Sequence, residues 1–142
     1  MDQKTLLSKA SLEAKSLKDF LKKMDFFNDP DLCEVEADSF IIEELKTAFQ
    51  FMDMAITRIE YVCLEIIAEG TLVKNASGRY TLGEYEYTSD SIIEFLYYDD
   101  FDEKFHWGRS RIEFDGDYYI YNYKFLPLNG LRVRRRALPD LY

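Results

Sequence analysis

The sequence predicts an α+β protein in which an N-terminal antiparallel helical hairpin, residues 1–69, packs on a C-terminal SH3-like β-barrel of five to six antiparallel strands, residues 70–142. Apolar residues recur at spacings of three and four before Gly70 and at alternate positions after it. The first pattern is typical of a helix that buries one stripe, and the second is typical of a half-buried strand. A chain of 142 residues is long enough for one compact unit or two small lobes that share a core.

The longer helix is predicted from Ser39 to Ala68. Asp38 or Ser39 can cap its start, and Gly70 marks its end. Its apolar seam consists of Ile42, Leu45, Phe49, Met52, Ile56, Ile59, Cys63 and Ile66. A second column widens the apolar face and consists of Ile41, Ala48, Ala55 and Val62.

A shorter helix is predicted from Thr5 to Phe26. Its seam consists of Leu7, Ala10, Ala14, Leu17, Leu21 and Met24. Two matching seams joined by a short polar link that contains Pro30 predict an antiparallel hairpin. Cys63 is expected to pack as a small apolar residue on the seam, and the sequence leaves the redox state of Cys33 and Cys63 open.

Short alternating segments separated by turn residues follow Gly70. They comprise residues 71–74, 79–82, 84–87, 91–98, 107–114, 118–123 and 131–136. Asp99 to His106 is predicted to be an acidic loop, and Asp115-Gly116 a hairpin turn. Short strands at this spacing suggest a small closed or half-closed barrel.

The net charge of −9 argues against binding nucleic acid through bulk charge. Eight of the acids fall between residues 25 and 44, where the chain has no Lys or Arg. One interpretation is a solvated loop whose acids stabilise the start of the next helix. The other is an anionic patch that imitates nucleic-acid phosphates and binds a basic partner. The candidate contacts of this acidic patch are Asp29, Asp31, Glu34, Glu36 and Asp38.

A second candidate surface is basic and aromatic. Its residues alternate along three predicted strands and are Arg109, Arg111, Tyr119, Tyr121, Arg132, Arg134 and Arg136. Arg and Tyr side chains can bind single-stranded nucleic acid by phosphate pairing and base stacking. The interpretation that we favour at this point is pairing of the arginines with Glu84, Glu86, Glu94 or Glu113 on neighbouring strands.

The sequence contains no pattern that indicates catalysis. His106 is the one histidine, and a relay of the Ser-His-Asp kind cannot be argued from it. The acids at 99, 100, 102 and 103 do not follow the spacing of a calcium-binding loop, so we expect no metal and no other cofactor. No apolar run approaches the length of a membrane span and no signal peptide is evident, so a cytoplasmic protein without membrane contact is expected.

The run from Gly78 to Phe95 resembles a small family of bacterial domains of unknown function found on plasmids, phages and conjugative elements. The resemblance continues through Trp107 to Glu113 and Asn129 to Arg134, and covers about the last seventy residues. It implies a cytosolic accessory protein of mobile DNA. In that setting a small acidic protein without an enzyme signature is similar in kind to the anti-CRISPR inhibitors, by analogy and not by homology.

We therefore expect a non-enzymatic mobile-element protein that binds and inhibits a nucleic-acid machine, with a CRISPR nuclease or its guide RNA complex as the partner. The alternative is a barrel that binds RNA or single-stranded DNA and uses the helical hairpin as a homodimerisation arm. An enzyme comes third. The sequence does not identify the partner, nor which of the two candidate surfaces contacts it.

Overall fold

A computed structural model describes residues 1–25 and 36–139. The chain divides into two compact units, residues 1–64 and residues from 65 onward. Within the described ranges, the first unit holds helix α1, Gln3–Lys23, and helix α2, Ser39–Val62. The second unit holds eight strands in these ranges. The α+β class and the N-terminal helical hairpin are thereby confirmed, while the predicted turn around Pro30 lies outside the described residues.

Each helix begins at an aspartate. The carboxylate of Asp2 accepts a hydrogen bond from the backbone N–H of Thr5 at 2.7 Å, and that of Asp38 accepts one from Phe40 at 2.8 Å. Both bonds satisfy N–H groups that have no partner inside the helix. The predicted role of Asp38 as a cap is confirmed.

The two helices are antiparallel and meet along the predicted seams. Cys63, at the end of α2, places its sulfur 3.7 Å from the carbonyl oxygen of Leu7 near the start of α1. Ala14 and Ile56 are fully buried, and the other α1 seam residues are at least partly buried. Cys63 itself is exposed, contrary to its expected packing.

The second column of α2 does not widen the buried face as predicted. Ile41, Ala55 and Val62 are exposed, and Ala48 is half-buried. Leu45 of the main seam is also 37% exposed. A single partner helix covers only one stripe, so the column that faces away from α1 stays in solvent.

Helix α2 ends before the predicted boundary. Cys63 is its C-cap, and strand β1, Ile66–Thr71, begins three residues later. Ile66 and Ala68, expected in the helix, pair instead with Arg136 and Arg135 of the last strand. The β-branched pair Ile66-Ile67 suits a strand, and the partner that fixes this choice lies about seventy residues away, where local periodicity cannot detect it.

The strands after β1 are short except for two. Their bounds are β2 Val73–Lys74, β3 Tyr80–Leu82, β4 Tyr85–Glu86, β5 Ile92–Asp99, β6 Lys104–Phe114, β7 Tyr118–Ile120 and β8 Arg132–Arg136. The expected acidic loop from Asp99 to His106 is wrong, because β5 and β6 extend into it and leave only residues 100–103 as the turn.

The strands form two antiparallel sheets and not a closed barrel. The five-stranded sheet has the order β1-β8-β5-β6-β7, and β2-β3-β4 form the second sheet. In residues 65–139, β1 and β7 therefore lie at opposite edges of the larger sheet. Strands β2 to β4 have only two or three residues each and pair among themselves, so they do not close the gap between these edges.

The core of the second unit lies on one face of the five-stranded sheet. Ile93 and Phe95 of β5, Ile112 of β6 and Val133 of β8 are at most 1% exposed. Tyr97 packs against this cluster, so residues 93, 95 and 97 share one face of the sheet. The opposite face carries the residues that alternate with these. In the described ranges, neither helix has the length and apolar character needed to cross a membrane.

Candidate functional site

The face of the five-stranded sheet opposite the core carries the predicted arginines. In β8, Val133 is buried, and Arg132, Arg134 and Arg136 project from the other side because successive side chains alternate. Arg135 has the parity of Val133, and its guanidinium lies 4.2 Å from the ring centroid of Tyr85. The alternation predicted for this strand is confirmed.

Strand register brings the other predicted residues onto the same face. Glu94 of β5 pairs with Arg134 on one side and with Arg109 on the other. Arg111 follows two residues after Arg109, and Glu113 pairs with Tyr119 of β7. We define the arginine face as Trp107, Arg109, Arg111, Tyr119, Tyr121, Arg132, Arg134 and Arg136 with the acids Glu69, Glu94 and Glu113.

The centre of the arginine face is a buried ion cluster. Glu94 is only 4% exposed. Arg136 donates from Nε to Glu94 Oε1 at 2.8 Å, and Arg134 donates from its own Nε to the other carboxylate oxygen. The Arg134 guanidinium also lies 4.1 Å from the ring of Trp107. A buried carboxylate needs such partners, so Arg134 and Arg136 are poorly placed to leave Glu94 and bind a ligand.

The outer arginines Arg111 and Arg132 form ion pairs that solvent reaches. Arg132 donates to Glu69 at 2.9 Å across the β1–β8 pair, and Arg111 donates to Glu113 of its own strand at 2.5 Å. Both arginine side chains are 48% exposed. The hydrogen bond to Glu113 raises the pKa of Arg111, so this guanidinium stays charged. Exposed pairs of this kind contribute about 0–1 kcal/mol, so a ligand can replace either acid at little cost.

Pairing of the arginines with glutamates on neighbouring strands, the interpretation favoured from the sequence, is thus observed for Glu94, whereas Glu113 pairs with Arg111 of its own strand. Glu86 pairs with Arg79 at 2.7 Å, away from the arginine face, and Glu69 takes a role that the sequence did not suggest. Among the described residues, the arginine face has five arginines and three glutamates, a net +2 on a chain of net −9. The face is therefore a basic surface on an acidic protein.

Exposed aromatic side chains extend the arginine face along the β5–β6 hairpin. Tyr98 pairs with Phe105, and their rings lie 5.2 Å apart while remaining 48% and 66% exposed. Phe101 in the turn is 98% exposed. The guanidinium of Arg111 lies 3.9 Å from the ring of Tyr121. Tyr98 and Phe105 were missed in the sequence because the segment after Tyr98 was interpreted as a loop, although the two aromatics flank the turn symmetrically.

The predicted acidic patch is only partly described. Asp29, Asp31 and Glu34 fall within residues 26–35, outside the described residues. Glu36 and Asp38 are exposed, and the carboxylate of Asp38 is engaged in capping α2. A contact surface built from these five acids stays a prediction.

Comparison with known proteins identifies one related family. Residues 70–135 match the family described as Domain of unknown function (DUF5348). The matched segment runs from the end of β1 to Arg135, so it contains all of the arginine face except Glu69 and Arg136. The expected resemblance of the C-terminal half to a small domain family of unknown function is confirmed. No curated protein and no solved structure matches the chain.

Proposed function

We propose that this protein is a non-enzymatic binding protein that engages a nucleic-acid machine in the cytoplasm through its arginine face. The observation that carries the proposal is the net charge of +2 on this face of a chain with net charge −9. Arg109, Arg111 and Arg132 are exposed there, and Arg111 and Arg132 pair with the half-buried Glu113 and the exposed Glu69 respectively. The same guanidinium groups suit the phosphates of a guide RNA or the carboxylates of a protein surface.

The form of engagement that we propose is inhibition, by analogy with the small acidic anti-CRISPR inhibitors. A CRISPR nuclease holds its guide–target duplex in a positively charged channel. In this proposal the arginine face contacts the guide RNA or an acidic region of the nuclease, and the acidic patch at residues 29–38 competes for the basic channel. A partner that binds by charge associates more slowly as salt rises.

Direct binding of single-stranded RNA or DNA is the second candidate. It is favoured by Tyr121, Tyr98 and Phe105, which lie on the same face as the arginines and are 40%, 48% and 66% exposed. Bases stack on such rings while guanidinium groups pair with phosphates. The guanidinium of Arg111 lies over one face of the Tyr121 ring, so a base that stacks on that face has to displace it.

The test compares two triple variants with matched charge changes. The outer-arginine variant carries Arg109→Ser, Arg111→Ser and Arg132→Ser and keeps the buried cluster around Glu94. The control variant carries Lys18→Ser, Lys74→Ser and Arg79→Ser, which removes three exposed cations whose acidic partners lie outside the arginine face. Both variants lose three positive charges, so a difference between them reports the arginine face and not the net charge.

The readouts are guided DNA cleavage by a panel of purified CRISPR nucleases and fluorescence anisotropy of labelled single-stranded RNA at low salt. The inhibitor proposal predicts that wild type and control variant block cleavage and that the outer-arginine variant loses most of this effect. Anisotropy that rises with wild type and falls with salt supports direct nucleic-acid binding instead. Wild type that neither blocks cleavage nor binds RNA contradicts both functions.

The helical hairpin is proposed to form a homodimer. Helix α1 has six lysines and two acids, a net +4, whereas α2 has two basic residues and four acids, a net −2. The exposed column of Ile41, Ala55 and Val62 gives α2 an apolar stripe beyond the one that α1 covers. The basic α1 of a second copy complements this acidic helix and completes a four-helix bundle.

Light scattering after size exclusion tests the dimer. Ala55→Lys places a cation opposite the basic helix of the second copy and is expected to yield monomers. Thr57→Lys, on the opposite side of α2, is the matched control and should leave the dimer intact. A wild-type protein that is monomeric at high micromolar concentration contradicts the dimer.

A further inference from the structure

Two carboxylates and the one imidazole of the chain meet at the end of the β5–β6 hairpin. Asp99 is the last residue of β5, and His106 is the third residue of β6. Register pairs Asp99 with Lys104 and Tyr97 with His106, so Asp99 and His106 are diagonal neighbours on one face of the hairpin. The turn between the strands adds Asp102. One ligand atom from each of these three residues lies within 4.8 Å of the other two.

The backbone of the turn holds both carboxylates. Asp99 Oδ1 accepts a hydrogen bond from the N–H of Phe101 at 2.9 Å, and Asp102 Oδ1 accepts one from the N–H of Lys104 at 3.2 Å. Asp102 Oδ2 lies 2.5 Å from Nε2 of His106, and the imidazole packs 6.1 Å from the ring of Tyr97. The three groups therefore belong to the end of a paired hairpin and not to the freely solvated acidic loop expected from the sequence.

We propose that Asp99, Asp102 and His106 form a binding site for a divalent transition-metal ion of the Zn²⁺ class. An imidazole nitrogen with two carboxylate oxygens is a ligand set that Zn²⁺ and its neighbours accept, whereas Mg²⁺ and Ca²⁺ prefer oxygen ligands alone. The ion replaces the hydrogen shared by His106 Nε2 and Asp102 Oδ2, with metal–ligand distances of about 2.0–2.2 Å. The histidine distinguishes this cluster from an ordinary acidic turn.

The surroundings of the site favour a cation. Asp100 and Glu103 are exposed in the same turn and add negative charge, and Lys104 is the nearest basic residue along the chain. Three protein ligands leave at least one coordination position for water or for a group from a binding partner. Asp99 and His106 lie on the face of the hairpin opposite Tyr98 and Phe105, and the metal affinity of the site does not depend on the function proposed above.

The experiment is a Zn²⁺ titration of the full chain followed through the imidazole nitrogens by long-range ¹H–¹⁵N NMR. Because the chain has a single histidine, the spectrum reports His106 alone, even where Cys33 or Cys63 also takes up zinc. We expect a Zn²⁺-dependent shift of the Nε2 resonance that saturates at one ion per site and persists in excess Mg²⁺. Asp99→Asn and Asp102→Asn should each weaken the zinc affinity read at His106 at least tenfold.

Asp100→Asn is the matched control, because it removes one carboxylate from the same turn without touching the three ligands. It should change the zinc affinity less than twofold. An Nε2 resonance that does not respond to millimolar Zn²⁺ overturns the proposal. Equal weakening by Asp100→Asn and Asp99→Asn, or displacement by Mg²⁺, also overturns it, since either result indicates general attraction of cations to an acidic turn.

Discussion

At the residue scale, Tyr87 combines a buried aromatic ring with a hydroxyl group that has no hydrogen-bond partner among the described residues. Its side chain is 1% exposed within the core of the second unit. Its hydroxyl has no hydrogen-bond partner among the residues that the structure describes. Burial raises the pKa of this phenol from 10.0 to about 12. An unpaired buried hydroxyl costs about 1–3 kcal/mol, so the ring stabilises the core while its oxygen weakens it.

Replacement of Tyr87 by Phe is therefore expected to raise the free energy of unfolding by about 1 kcal/mol at pH 7. The pH dependence should change as well. Above pH 10 the unfolded phenol loses its proton while the folded one keeps it, so wild-type stability falls toward pH 12 at up to about 1.4 kcal/mol per pH unit from this residue. The Phe variant lacks that component. Urea denaturation at pH 7 and pH 11 measures both effects, and a variant clearly less stable at pH 7 contradicts the unpaired hydroxyl.

Glu94 is the residue on which the arginine face depends. Glu94→Gln removes the negative charge that both Arg134 and Arg136 contact. The side chains of these two arginines are only 21% and 10% exposed, so water cannot fully replace the lost carboxylate. The expected loss of stability is about 3–5 kcal/mol. Glu113→Gln breaks an exposed pair with Arg111 and should cost less than about 1 kcal/mol. Similar unfolding midpoints for the two variants in urea would show that the cluster is not stabilising.

At the element scale, the stability of the hairpin depends on a narrow seam. Ile56 is 3% exposed, whereas Lys15 on the first helix is exposed. Ile56→Ala should lower the stability of the hairpin by about 2–5 kcal/mol, while Lys15→Ala should have little effect. Thermal melts followed by circular dichroism at 222 nm, where helices dominate, compare the variants. Equal melting temperatures would contradict the packing of α1 on α2.

The sequence predicted helices and strands correctly where local spacing determines the structure. The predictions were wrong where pairing with a residue distant in the chain determines it. The seam from Leu7 to Leu21 and the alternation around Val133 are local patterns, and both are confirmed. The end of α2 depends on the pairing of Ile66 with Arg136, which no local window contains. The prediction of a barrel was wrong for a related reason. Short strands separated by turns indicate which strands can pair, but they do not indicate whether the two edge strands of the sheet meet and close it.

The candidate site shows the same division. Alternation was enough to place Arg132, Arg134 and Arg136 on one face of their strand, and Arg109 and Arg111 on one face of theirs. Strand register brings these faces together, and local spacing does not contain it. The burial of Glu94 between two arginines depends on strand order, as does the contact of Arg134 with Trp107. As a consequence, an experiment that removes Arg132, Arg134 and Arg136 together would test folding and binding at once. Replacing the exposed residues Arg109, Arg111 and Arg132 instead tests binding without removing the arginines that contact the buried Glu94.

At the scale of the whole molecule, the net charge is negative although the arginine face is positively charged. The chain carries 27 acids and 18 Lys or Arg, yet the arginine face is basic. The net negative charge repels nucleic acid in general. We therefore expect the basic face to bind through local contacts with a specific partner. The partner should therefore be a protein or ribonucleoprotein whose own surface contributes to selection.

The proposed partner contact of the arginine face is tested most directly by a quantitative pull-down from a host lysate. The immobilised proteins are wild type, the outer-arginine variant and the control variant. Half of each sample is treated with nucleases. We expect wild type and control to enrich the same nucleic-acid-handling protein. The outer-arginine variant should lose that protein at least tenfold. Nuclease treatment distinguishes a contact with the protein itself, which persists after treatment, from a contact with its bound RNA, which is lost. Equal enrichment by the outer-arginine variant and wild type would contradict the central claim that the arginine face makes the contact.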